Sequence, residues 1–250
     1  MTGPASGIVA FRAARAAILE RIAAACTRAG RDPAGVSLVS VSKTVDPGRL
    51  RDAVVAGLTV LGENRVQEGA AKAPEVPGAT WELVGPLQSN KARRALEVFA
   101  RVQTVDSLDL ARRLDRLMPD LRPGTRYPVL VQVNVDQDPA KAGFRPGDVD
   151  AAMGGLLALP NLDVQGLMTV GRFAVSVDDA RATFRGLRDL SARLRARSPE
   201  LGPELSMGMS DDFEIAVEEG ATIVRVGRAL FGDRPPGDGG HGHVEPGHRP

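Results

Sequence analysis

Eight short apolar runs, each separated from the next by an amphipathic stretch of helical period, occupy this 250-residue chain almost from end to end. The runs are residues 37–42, 60–62, 81–85, 102–104, 129–135, 164–169, 204–207 and 223–226. Helical patterns fall over 47–56, 91–99, 109–118, 148–159, 178–197 and 212–219, after an alanine-rich amphipathic helix over 6–29. Strands that alternate with helices pair in parallel, and eight such units, roughly 20 to 40 residues apart, predict a closed (β/α)8 TIM barrel. An open doubly wound sheet is the rival, but it more often has about six strands and a glycine-rich first turn. The first turn here reads Val41-Ser42-Lys43-Thr44, with no G-x-G-x-x-G pattern. Ser107 and Asp211 read as helix N-caps, and Gly57 and Gly220 as helix stops. The expected architecture is α/β: one barrel over 1–232 with an extra N-terminal helix, then a disordered Gly/Pro/His tail over 233–250.

Charge and residue usage exclude several classes. A net charge of +1 creates no field for nucleic acid or anionic lipid, and 4% aromatic residues leave little to stack on bases. The arginines of 181–197 alternate with Leu187, Leu190 and Leu194 at helical spacing, which describes a solvated outer face. No run of about 18 apolar residues is present and the start lacks a signal-peptide layout, so the expectation is a cytoplasmic protein. Cys26 is the one cysteine; it excludes an internal disulfide and reads as a small buried thiol. All three histidines, His241, His243 and His248, lie in the tail. The barrel therefore has no histidine for triad or Cys-His catalysis or for a metal site, and its chemistry must rest on lysine, carboxylates, hydroxyls or a cofactor.

In a parallel barrel the C-terminal strand ends share one rim, where function is built. Those ends supply, in order, Lys43, Glu63-Asn64, Gly85-Pro86, Asp106-Ser107, Asn134, Met168-Thr169, the run Ser206-Met207-Gly208-Met209-Ser210, and Arg225-Val226-Gly227-Arg228. Only four of the 32 basic residues are lysines, and one of them stands at the first strand end. Arginine cannot become a free amine in a protein, whereas a desolvated lysine can, and its neutral amine condenses with aldehydes and ketones. The plain alternative is a surface lysine flanking a strand. The loops after strands seven and eight offer hydroxyls, small residues and backbone amides, where barrels commonly hold phosphate. Structural turns explain Gly208 or Gly227 equally well, each taken singly. Together, an amine for an aldehyde and a phosphate cradle suit pyridoxal 5′-phosphate.

The segments Val39-Ser40-Val41-Ser42-Lys43-Thr44, Gly62-Glu63-Asn64-Arg65-Val66-Gln67-Glu68 and Gly85-Pro86-Leu87-Gln88-Ser89-Asn90-Lys91 carry a family resemblance. It continues through Gln132-Val133-Asn134-Val135, Lys141-Ala142-Gly143-Phe144, Gly166-Leu167-Met168-Thr169, Leu205-Ser206-Met207-Gly208-Met209-Ser210-Asp211-Asp212 and Val224-Arg225-Val226-Gly227. In number, order and spacing these make the chain resemble the pyridoxal-phosphate homeostasis proteins, whose fold is like the N-terminal barrel of alanine racemase. The resemblance implies that Lys43 forms the internal Schiff base. It places Ser206, Ser210, Gly227 and the Arg228 amide near the phosphate, and Arg225 at the pyridine nitrogen. Lys141 matches a lysine that assists cofactor transfer or holds a second copy, and Asn64 a residue near the cofactor rim. Met168 and Gly208, at the ends of strands six and seven, complete the expected cofactor-binding set. Three positions depart from the family: Arg65 stands where tyrosine is usual, Pro86 where histidine is frequent, and Arg228 where threonine is common.

The expected role is non-catalytic: binding, buffering or delivering the cofactor, with apo forms of cofactor-dependent enzymes as partners. A racemase needs a base on each face of the cofactor; in alanine racemase one is a tyrosine delivered across a dimer that includes an extra β domain, which this chain is expected to lack. Tyr127, the one tyrosine, begins strand five and is expected at the opposite rim. Arginine at the ring nitrogen also keeps that nitrogen unprotonated and weakens the electron sink. No catalytic residue and no metal site are expected, and the protein is expected to be a monomer. An amino-acid racemase remains the alternative, and a class I aldolase using Lys43 without cofactor is a third reading.

Overall fold

The computed structural model describes residues 4–171 and 176–232. The expected histidine-bearing tail lies outside the described residues. β1 (Ser37–Val41), β2 (Val60–Glu63), β3 (Thr80–Leu83), β4 (Arg101–Val105), β5 (Tyr127–Gln132), β6 (Leu162–Met168), β7 (Glu204–Ser206) and β8 (Ile223–Val226) pair in parallel, in sequence order, as a closed barrel. Closure is made by β1 and β8, with Ser37 opposite Ile223 and Ser40 opposite Val226.

The surrounding helices are α1 (Pro4–Arg28), α2 (Pro47–Val55), α3 (Val66–Lys72), α4 (Ala92–Val98), α5 (Leu108–Leu121), α6 (Pro146–Leu157), α7 (Val177–Arg197), α8 (Phe213–Glu218) and α9 (Arg228–Phe231). On α1 the buried residues Ile18, Ile22, Ala25 and Cys26 recur at helical spacing and form one stripe. That stripe lays α1 across α2, α8 and α9, over the seam where β8 meets β1. Phe11 meets Phe231 edge-on at 5.6 Å, and the Arg21 guanidinium sits over the Phe213 ring. Burial pushes the Cys26 thiol upward, toward an inert thiol.

Two apolar regions fill the molecule. The larger lies between the barrel and its helices; the smaller, Val39, Val84, Leu130, Met168 and Ile223 with Val41, Val60 and Val170 against it, fills the barrel itself. The arginine face of α7 is met by acids: Arg181, Arg185 and Arg188 pair with Glu219, and Arg181 also with Glu218. Among the described residues no helix is long and apolar enough to cross a membrane.

Local signals held in part. Ser107 caps α5 by accepting from the Leu110 amide, and Gly57 and Gly220 follow the last turns of α2 and α8 in left-handed conformation. The expected cap at Asp211 is corrected: the N-cap position of α8 is Asp212, whose carboxylate accepts from the Met209 amide of the preceding loop, while the Asp211 carboxylate pairs with the Arg228 guanidinium. The fifth strand ends at Gln132 rather than 135, since past it the Asn134 side chain folds the chain into a loop.

Candidate functional site at the C-terminal rim

Lys43 stands two residues beyond the end of β1. Val39 and Val41 point into the barrel, and Lys43 continues their alternation at the mouth, half-buried and engaged with its surroundings. The chain turns there: the Val45 amide donates to the Ser42 carbonyl at 3.0 Å, and Asp46 then caps α2. Thr44 takes φ of 65°, a conformation that costs a β-branched residue about 1–3 kcal/mol and persists only where neighbours enforce it.

Next to Lys43 at the mouth lies the loop after β8, the strand that pairs with β1. The Ser210 hydroxyl accepts from the amides of Gly227, at 3.3 Å, and Ala229, at 3.4 Å. A hydroxyl and two amides thus converge on one spot, a geometry suited to a tetrahedral anion. Gly227 lies directly against β1: a Cβ added to it would come within 3.1 Å of the Val41 carbonyl oxygen. This close approach sets the cradle beside the strand that leads to Lys43. The Arg228 guanidinium turns away to Asp211, and the amides that reach Ser210 are those of its neighbours Gly227 and Ala229.

Arg225 lies deeper and is fully buried. It donates through Nη1 to the Ser206 hydroxyl at 2.6 Å and through Nη2 to the Thr169 carbonyl at 2.8 Å. Burial pulls its pKa down to about 10 while the Asp212 carboxylate pushes it back up, so it remains a cation at neutral pH. The Ser206 hydroxyl in turn donates to Gln103 Oε1 at 2.6 Å, Gln103 donates to Glu82, and Glu82 accepts from Arg101. The hydroxyl of Ser206, the residue expected beside the phosphate, lies between the Arg225 guanidinium and Gln103. Gly208 has a packing reason for its identity. At φ of 91°, a Cβ there would lie 2.5 Å from the Ala216 Cβ and 2.9 Å from the Phe213 Cα. Met168 is wholly buried in the barrel's inner apolar layer.

Asn64 lines a rim pocket of about 370 Å3 with Arg65, Pro86 and Lys91, which places two of the three family departures in one place. Lys141 is carried on the loop after β5. Asn134 shapes that loop, donating to the Asp138 and Lys141 carbonyls and accepting from the Asp138 amide, and Lys141 Nζ reaches the Gly171 carbonyl at 2.5 Å. Tyr127 is at the other end of the barrel. It is buried, its hydroxyl donates to the Phe99 carbonyl at 2.9 Å, and burial pushes its pKa far up.

Reading strand ends missed Lys72, and placed Glu63 at the rim. Both are buried behind the sheet, in contact with each other and with Ser42. The available signal was compositional, since Lys72 is another of the four lysines.

Fold and rim together define a parallel α/β barrel whose C-terminal mouth gathers Lys43, the Ser210 hydroxyl with two backbone amides, and a buried arginine. The family model for the alanine racemase N-terminal domain matches residues 14–235. The pyridoxal phosphate homeostasis protein of Aquifex aeolicus is 39% identical over 219 residues, 87% of this chain and 95% of that one. The Pseudomonas aeruginosa protein of the same name is 42% identical over 222 residues, 88% and 94% respectively. PipY of Synechococcus elongatus, solved with PLP bound, superposes with a TM-score of 0.75 at 41% identity, covering 86% of this chain and all of that one. Alanine racemase of Clostridium difficile shares the fold alone, with a TM-score of 0.66 at 16% identity over 88% of this chain and 56% of that one. The chain belongs to the alanine racemase N-terminal domain family and, within it, to the pyridoxal phosphate homeostasis proteins.

Proposed function

We propose that this protein binds pyridoxal 5′-phosphate reversibly at the C-terminal rim and holds or delivers it without turning over a substrate. One observation carries the reading: Gly227, whose amide belongs to the Ser210 cradle, packs against Val41 at the end of the strand that leads to Lys43. The residues fit the cofactor. Ser210 and the amides of Gly227 and Ala229 would hold its phosphate. Two of the five donors of Arg225 are used by Ser206 and Thr169, and others on the same guanidinium would hold the ring nitrogen. When bound, the cofactor supplies an aldehyde that condenses with a neutral amine, releasing water.

Lys43 would present that amine. Arg225, a cation at neutral pH, donates hydrogen bonds and has no proton to spare for the ring nitrogen, which favours holding over carbanion chemistry. Tyr127, the chain's one tyrosine, is committed to Phe99 at the far mouth and cannot serve as a second base. Asn64 would border the cofactor, Met168 would close the apolar side, and Lys141 would act in transfer. Gly208 and Ser206 would support the cradle and Arg225 rather than touch phosphate. We take the recipients to be apo forms of pyridoxal-phosphate enzymes, and the protein to act as a monomer in the cytoplasm.

Borohydride reduction of protein incubated with the cofactor tests this reading. The wild type should gain one reduced cofactor mass, mapped to Lys43, and Lys43→Ala should gain none while keeping its thermal midpoint. A wild type that takes up no cofactor overturns the proposal. So does sustained α-proton exchange of L-alanine in deuterated water, which would make it a racemase.

A further inference from the structure

Lys72 is the buried member of the four lysines, and it ends α3 behind the turn that carries Lys43. Its ammonium donates to the Ser42 carbonyl at 2.9 Å, to Glu63 Oε1 at 2.8 Å and to Glu68 Oε1 at 2.6 Å. Three N–H groups meet three acceptors, so the ammonium is fully used. Both carboxylates pass the contact on. Glu63 Oε1 accepts from the Ser42 hydroxyl at 2.7 Å, and Glu68 Oε1 accepts from the Thr44 amide at 2.7 Å. Ser42 and Thr44 are the two chain neighbours of Lys43, so one ammonium and two carboxylates grip the turn on either side of it.

The cluster is poorly suited to serve stability alone. It sets two acids, Glu63 fully buried and Glu68 partly so, against one buried base, and among the described residues Glu63 Oε2 has no partner. Burial pushes the Glu63 carboxyl up more than Lys72 and Ser42 pull it down. Burial also pushes Glu68 up, but there Lys72 and the Thr44 amide outweigh it. An apolar filling of the same space commonly does as well or better for stability, so a buried ion cluster is better explained by what it fixes. It fixes a left-handed threonine and the two peptides that aim Lys43 into the barrel. Lysine is required for this, because the planar fork of arginine cannot bring three acceptors to a single nitrogen. In a chain that otherwise prefers arginine, the choice is informative.

We propose that Lys72 and Glu68, with Glu63 and Ser42, are positioning residues that hold the turn presenting Lys43. The inference rests on the binding role assigned to Lys43 above. Glu68→Ala is the informative variant, since its side chain is partly exposed and its loss leaves Lys72 paired with Glu63. Lys72→Arg tests the demand for a compact ammonium.

In apoprotein, Glu68→Ala should speed hydrogen exchange of the Thr44 amide at least about tenfold while the thermal midpoint falls by no more than about 4 °C. Cofactor dissociation constants, read from visible absorbance, should rise about tenfold in Glu68→Ala and in Lys72→Arg. The pH at which that absorbance is half-developed should shift in both. Tyr127→Phe, a destabilising change at the far mouth, should leave the dissociation constant unchanged. If Lys72→Arg does not fold, Glu68→Ala decides. Wild-type exchange at Thr44 together with wild-type cofactor affinity in Glu68→Ala overturns this inference and leaves the binding reading intact. A wild type that takes up no cofactor removes both.

Discussion

Arg225 and Ser206 are joined by a 2.6 Å hydrogen bond inside the barrel, and the serine passes the contact on to Gln103. The serine hydroxyl thus joins the guanidinium to the glutamine, a structural role that needs no ligand. Ser206→Ala should therefore act on the apoprotein. It leaves a buried donor on Arg225 and the Gln103 carbonyl oxygen without their partner, at a cost of about 1–3 kcal/mol. Urea unfolding followed by fluorescence of Trp81, the one tryptophan and a buried one, measures that loss. Affinity for inorganic phosphate should stay within twofold of wild type. A large drop in phosphate affinity with unchanged stability would return Ser206 to the cradle.

Tyr127 gives a pH prediction with a defined sign. Burial holds its phenol protonated well above the ordinary tyrosine range. Above pH of about 10 the unfolded chain loses a proton that the native state keeps, so this group makes stability fall as pH rises from there. Because the chain has a single tyrosine, phenolate absorbance reports this site alone. It should rise together with alkaline unfolding and not before it. Tyr127→Phe should remove that absorbance and cost about 1 kcal/mol through the lost bond to Phe99.

Gly208→Ala should be among the most damaging single-methyl changes at the rim. It combines a left-handed backbone with a methyl group driven into Ala216 and Phe213. The expected loss is about 2–5 kcal/mol, read as a lower urea midpoint. Gly227→Ala meets the Val41 carbonyl oxygen at 3.1 Å and the Val41 Cβ at 3.4 Å, and should cost less stability, while weakening phosphate binding more. The opposite ranking would reverse the roles given to the two glycines.

Much of this molecule was legible before any coordinates. Alternation of apolar runs with amphipathic stretches is imposed by burying each strand between the barrel interior and its helices, so all eight strands could be placed. Lys43, Ser210, Arg225 and Gly227 could be gathered because parallel strands bring their ends to one rim. The α3 helix escaped notice for physical reasons. It has seven residues, no side-chain cap at Arg65, and a glycine at its centre, so neither period nor capping marks it. With it went Glu68 and Lys72. The partnership of Ser206 with Gln103 was equally invisible, because 103 positions separate them and only barrel closure makes them neighbours. Spacing along a sequence reports which rim a residue reaches, not which hydrogen bond it has already spent.

The polar chain below the mouth does not stop at Gln103. Glu82 accepts from Gln103 and from Arg101, and Arg101 donates to Gln165, which donates to Asp163. These side chains run from the floor of the site to the start of β4 and β6, at the opposite end of the barrel. Within such a network the effects of substitutions do not add. The two mouths of the barrel are therefore not independent territories. A change at Arg101 or Glu82, at the opposite end of the barrel, reaches the footing of Arg225 through Gln103 and Ser206.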